Sequence, residues 1–272
     1  MTTDDTLCAM ALTRLPAQRA DTLLPLMRSM GSASHVLSFL NDEHTAQAMQ
    51  WAQDEWQRMQ RHHIQALVYG TPGYPQRLLA MPDAPVVLYQ AGSAPLDTAH
   101  AVAIVGTRQC TPYGAQRARQ LVCELKERYG EVLIVSGLAE GIDINAHRQA
   151  LDSHVPTVGV LAHGLHTIYP ACHRPDAVHM VQGGGGALLT EYPLGTAPRP
   201  GQFLLRNRII AALADSVVLI ESAARGGGLS AIGHARRLHR SCYAWPGIEG
   251  KTNSEGCRKM IEKERAKLLK TE

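Results

Sequence analysis

The chain has 272 residues, 45% of them hydrophobic and 19% charged, with a formal net charge of +3. That length buries a sizeable core, as one large domain or two smaller ones, and no apolar run approaches the roughly 20 residues of a membrane span. The net charge is too small to announce nucleic acid, and six dispersed cysteines without a C-x-x-C pair argue against a metal site.

The start, MTTDDTLCAMALTRLP, is acidic and lacks the basic segment and cleavage site of a signal peptide, so a cytoplasmic location is expected. Residues 1–63 read as a small helical domain. Leu7, Leu12 and Leu15, then Leu23, Leu24, Leu26 and Met27, then Val36, Leu37 and Leu40 recur at helical spacing between breakers such as Pro16 and Gly31. A further helix places Met49, Trp56 and Met59 on an apolar face. The turn after Leu15 reads PAQ, without the glycines that let a helical hairpin approach phosphate, which favours packing or protein contact over DNA binding here.

Residues 64–98 form a structured connector with five prolines and three glycines around two β-prone pieces, Ala66–Tyr69 and Val86–Tyr89. From residue 99 to 248 the pattern alternates. AVAIVG, VLIV, TVGVLA, ALLT, DSVVLIE and SCYAW read as strands, SCYAW being the last. Helices are expected at about Tyr113–Tyr129, through Asn145 to Leu151, over RNRIIAALA and over LSAIGHARRLH. Apolar runs without alternation, separated by helices, predict a Rossmann-like, doubly wound, mostly parallel sheet. Residues 249–272 read as a charged terminal helix.

Ligands of such sheets gather at the carboxyl ends of the strands. After the first strand come Gly106, Thr107 and Arg108, then Thr111 to Gly114 at a helix start that offers free N–H donors: an anion site in outline, without a nucleotide fingerprint. After the second come Ser136, Gly137 and Gly141, with Asp143 and His147 read as structural. His163-Gly164, Tyr169-Pro170, His173 and Arg174 extend the rim. Phe203, Arg206, Asn207 and Arg208 form its densest part, at the start of an apolar helix. The two arginines there either meet phosphate or pair internally, for example with Asp143 or Glu221. Thirteen of the 14 basic residues in 99–248 are arginine, a side chain suited to phosphate. No catalytic residue stands out: Ser136 lacks the G-x-S-x-G elbow, Ser222 and Ser230 lack a base at motif spacing, and Asp143, Glu191 and Glu221 form no D-x-D set.

The ordered run AVAIVGTR…YG, VSGLAEGIDINAH, VGVLAHGLHTIYP, ALLTEYP, FLLRNRIIAAL and AWPG resembles the DprA/Smf family of bacterial DNA-processing proteins, and GYPQRLLAMPDAPVVLYQAG resembles its lead-in. The resemblance implies a non-enzymatic protein without cofactor that binds and protects single-stranded DNA, loads RecA onto it in natural transformation, and works as a homodimer. It implicates Gly106, Thr107, Arg108, Ser136, Gly137, Gly141, Gly164, Arg174, Phe203, Arg206, Asn207 and Arg208 in DNA binding, with Phe203 as a stacking platform. Both Arg108→Ala and Arg206→Ala are expected to leave the fold intact. A dimer contact is expected around Leu229, Ile232 and Leu238. The sequence departs from the family at Gly226-Gly227-Gly228-Leu229-Ser230, at His173 and at Ser254–Ile261, and shows no pattern for the C-terminal winged helix of many relatives. The rival reading is a nucleotide phosphoribohydrolase of the LOG type. Its P-G-G-x-G-T-x-x-E hallmark is approached by QGGGGALLTE at 182–191, with the glutamate out of register.

Overall fold

A computed structural model describes residues 3–16, 20–183, 185–248 and 250–270. The N-terminal region forms helices α1 (Thr3–Leu12), α2 (Ala20–Met30), α3 (Ala33–Leu40) and α4 (Thr45–Arg61). The PAQ turn falls partly outside the described residues, at Ala17 and Gln18. Ser32 caps α3 by accepting from His35 N, and Asn41 ends it in the left-handed region. Met59 is fully buried, while Met49 and Trp56 pack partly exposed on the same core, as the helical spacing predicts.

Strands β1 (Gln65–Val68) and β2 (Val87–Gly92) follow, then β3 (Ala101–Val105), α5 (Pro112–Tyr129), β4 (Leu133–Ser136), α6 (Ile142–Asp152), β5 (Thr157–Val160), α7 (Arg174–Gln182), β6 (Gly186–Thr190), α8 (Pro200–Leu213), β7 (Ser216–Leu219), α9 (Gly228–Arg237), β8 (Ser241–Ala244), α10 (Glu255–Glu262) and β9 (Lys267–Leu268). They build a nine-stranded sheet of order β1-β2-β6-β5-β4-β3-β7-β8-β9. The expected α/β, mostly parallel sheet is present. The two pieces of the connector enter it as a hairpin, β2 pairing antiparallel with β6 through Tyr89↔Thr190 and Gly92↔Ala187.

Consecutive residues of β3 serve opposite faces. Val102 and Ile104 pack with Leu121, Val122, Ile142 and Ala146 of α5 and α6. Ala101, Ala103 and Val105 join one continuous cluster with α8, α9, the hairpin and the N-terminal helices. Burial on both faces is why these strands read as unbroken apolar runs. Beyond the expectation lie α7, which buries only Ala177 and Met180, and β9, whose two residues are exposed. Thus β8 is not the last strand: the terminal segment forms α10 and then returns to the sheet, β9 pairing parallel with β8. An element that buries few apolar side chains leaves little periodicity to read.

His147 takes the structural role expected of it. Thr157 Oγ1 donates to Ile134 O (3.0 Å), so its remaining lone pairs accept from His147 Nδ1–H (2.7 Å), which leaves Nε2 bare. Nε2 is buried without a partner among the described residues. Burial pushes the imidazole down to about 3. The unfolded chain, titrating near 6.5, therefore takes up this proton first as the pH falls. The stability conferred is complete above pH 6.5 and declines towards pH 3, by up to about 1.4 kcal/mol per pH unit. His147→Gln is expected to flatten the acid limb of a stability–pH profile measured by urea unfolding. An unchanged limb would contradict this assignment.

Candidate nucleic-acid interface

β3 is the point where the chain order reverses, β4, β5 and β6 lying on one side and β7 and β8 on the other. The carboxyl ends of the flanking strands diverge there into a crevice. It holds a cavity of about 700 Å³ whose lining includes Gly106, Thr107, Arg108, Glu140, Asp143, Tyr169, Phe203, Arg206, Asn207 and Gly226–Gly228.

At its mouth the Arg108 guanidinium lies over the Phe203 ring, 5.0 Å from the centroid, and the Tyr169 ring sits 5.5 Å from that of Phe203 at 51°. Arg108 is exposed and makes no ion pair among the described residues. Tyr169 is 45% exposed, and Leu204 and Leu205 of α8 are more exposed still. The mouth therefore presents a cation, two ring faces and an apolar shoulder, with Glu140 as the opposing charge.

The floor is Arg206. Its buried Nη1 donates to Gly137 O (2.8 Å) and to Val160 O, tying the ends of β4 and β5, and its Nε donates to Asn207 Oδ1 (3.1 Å). A Cβ at position 137 would stand 2.6 Å from Nη1, so only glycine leaves room for this guanidinium. Burial lowers Arg206 to about 10, against the opposing pull of Asp143. Burial likewise raises Asp143, whose carboxylate accepts from Gly137 N (3.2 Å) and faces the Arg206 charge. The expectation that Arg206 can be lost without harm to the fold does not fit this burial.

The run 206–208 lies inside α8, which begins six residues earlier at Pro200. Successive helical residues diverge by about 100°, so the three side chains part. Asn207 Nδ2 donates to Ser230 Oγ (2.7 Å) and Gly227 O (3.3 Å) on the glycine run. Arg208 pairs with Glu191 and, at 3.3 Å, with Asp83, and does not line the cavity. Ser136 is also turned away, its hydroxyl donating to Ile104 O (2.6 Å). Gly164 meets the 193–196 loop, its N–H donating to Thr196 O (3.0 Å), and Arg174 stands exposed at the start of α7. Gly141, at φ +77°, lets the β4 loop turn into α6, where Ile142 N donates to Thr107 O (3.2 Å).

The helix start at Thr111 is already engaged from within the protein. Thr111 N and Oγ1 donate to the Glu221 carboxylate at 2.8 and 2.6 Å, and Gly114 N donates to Thr111 Oγ1 (3.0 Å). The partner of Glu221 is thus this helix end, not an arginine of α8.

Residues 65–272 match the family model for DNA recombination-mediator protein A. The chain belongs to this family. It is 37% identical over 201 residues to Protein Smf of Escherichia coli K12, covering 74% of this chain and 52% of that protein. With the DNA processing protein DprA of Streptococcus pneumoniae R6 it shares 36% over 196 residues, covering 72% and 67%. A Mycobacterium tuberculosis relative, 43% identical over 179 residues, is covered to 45% of its length. The chain spans about half the length of the first and last of these. The X-ray structure of Streptococcus pneumoniae DprA superposes with a TM-score of 0.81 at 28% identity, covering 97% of this chain and 94% of that one. A structure of Helicobacter pylori DNA processing protein A, concerned with that protein's single-stranded DNA binding mode, gives 0.67 at 30% identity, covering 77% and 93%.

Within this DprA/Smf fold the departures have local partners. Ser230 stands beyond the altered glycine run and supplies the hydroxyl that Asn207 meets. His173 Nδ1 donates to Leu138 O (2.9 Å), holding a residue at φ +57° in the loop after β4. In the terminal segment Ser254 Oγ accepts from Ile248 N (3.1 Å), while Asn253 Nδ2 donates to Gln109 O (2.9 Å) beside Arg108. Ile232 is buried in the core, with Leu229 and Leu238 packed against it, so α9 turns its apolar side to the sheet.

Proposed function

We propose that the protein binds single-stranded DNA at this cavity, protects it, and loads RecA onto it during recombination, including natural transformation. The reading is carried by the Arg108 guanidinium, which makes no ion pair among the described residues and lies on Phe203 beside the exposed Tyr169. A cation for the phosphate and a ring for each base face give sequence-tolerant strand binding, at about 1–3 kcal/mol per stacked base. Family membership and the Helicobacter pylori relative support the choice of ligand. In this reading Gly106, Thr107, Arg108, Phe203 and Asn207 meet the strand, and Arg206, Gly137 and Gly141 shape the floor. A homodimer, doubling the sites on one particle, adds avidity for long strands.

Fluorescence anisotropy is expected to show tighter binding to single strands than to duplex, with little sequence preference and a steep fall with salt. Sedimentation of the same samples reports the dimer. Equal or tighter duplex binding at physiological salt would sink the reading. The nucleotide-hydrolase alternative has no comparable support. Glu191, the nearest match to the required glutamate, is bound to Arg208 and is absent from the described cavity lining, while Gly184 of the glycine run lies outside the described residues.

A further inference from the structure

The loop that carries Arg108 has an unusual anchor. Glu221 follows β7, is 3% exposed, and holds the loop at three points. Its backbone carbonyl accepts from Thr107 N (2.8 Å), and its carboxylate accepts from Thr111 N (2.8 Å) and Thr111 Oγ1 (2.6 Å). These contacts bracket Arg108 by one residue on one side and three on the other. The absence of a side chain at Gly114 leaves the space that the carboxylate fills. In folds of this class the helix start after the first parallel strand is where a ligand's phosphate is held; here a side chain of the protein occupies it.

We propose that Glu221 is the positioning residue of the interface: an internal anion that takes the helix end, fixes the 107–111 loop and aims Arg108 at the Phe203 ring, so that strand phosphate is met by Arg108 and not by the helix. The inference rests on the strand-binding reading above. It has a distinctive sign. Removing a negative charge near a phosphate site ordinarily strengthens binding to DNA, whereas losing the aim of Arg108 weakens it.

Glu221→Gln keeps the volume but removes the charge and leaves one acceptor oxygen where the carboxylate has two, so Thr111 N and the Thr111 hydroxyl can no longer each donate to a carboxylate oxygen and the anchor is weakened. Measured by anisotropy at a temperature where every variant is fully folded, this variant is expected to bind a labelled single strand about tenfold more weakly than the parent, despite having lost a negative charge. Its salt slope should be shallower by about one. Arg108→Ala should show the same loss, and the double variant no further loss, because both changes remove one contact. Thr111→Val cuts the tie from the other side and is expected to behave likewise, so the test survives if Glu221→Gln does not fold. Equal or tighter binding by Glu221→Gln and Thr111→Val, or losses that add to that of Arg108→Ala, would overturn the inference. If Arg108→Ala itself binds as the parent does, it is the strand-binding reading that fails.

Discussion

Arg206→Ala is expected to lower the unfolding free energy by about 3–5 kcal/mol, the range for removing one member of a buried charge pair. The reason is the company its guanidinium keeps. It holds Gly137 O and Val160 O at the ends of adjacent strands, and it is the positive charge that faces the buried Asp143. Without it two carbonyls lose their donor and a carboxylate stays buried uncompensated. In a chain of this size the loss corresponds to a melting temperature about 10 °C lower. Arg206→Lys is expected to recover only part of the loss, since a shorter ammonium side chain can meet the carbonyls but has no counterpart of the Nε that donates to Asn207 Oδ1. Urea denaturation of the three proteins provides the measurement; a variant as stable as the parent would remove Arg206 from the floor and return it to the surface as a free phosphate contact.

Arg108→Ala should do the opposite: bind single strands about tenfold more weakly and melt where the parent melts. One charge-assisted phosphate contact is worth about 1.5–3 kcal/mol, and 1.4 kcal/mol is a factor of ten. The side chain is exposed, lies on Phe203 and makes no ion pair among the described residues, so its removal strands no buried charge. The salt slope should fall by about one unit. Arg208→Ala is the control: it breaks the pairs with Glu191 and Asp83 outside the cavity, and strand affinity should stay as in the parent. An Arg108→Ala protein with parental affinity and slope would refute the proposed interface. An Arg208→Ala protein with the larger loss would place the strand on the opposite flank of α8.

Much of this is legible in the sequence. The unbroken apolar runs at 101–105, 133–136, 157–160 and 216–219 could only be strands covered on both faces, and their alternation with helices dictated a parallel sheet. A parallel sheet carries its loops to one end, so Gly106, Arg108, Gly137 and Phe203 were placed on one rim by chain order alone. The motifs in those loops supplied the family.

What the sequence could not determine was direction. Arg206, Asn207 and Arg208 are adjacent in sequence and read as one cluster. Only the position of Pro200 as the helix start, six residues upstream, sends the first into the strand ends, the second to Ser230 and the third to Glu191 and Asp83. Whether the helix start at Thr111 was an open anion site depended on Glu221, 110 residues away along the chain and brought beside it by the pairing of β3 with β7. Local sequence sets which strands and helices form, because backbone preference and apolar period are local. Which charge meets which is settled by long-range strand pairing and by the rotation of each helix on the sheet, and neither leaves a mark in any single stretch of residues.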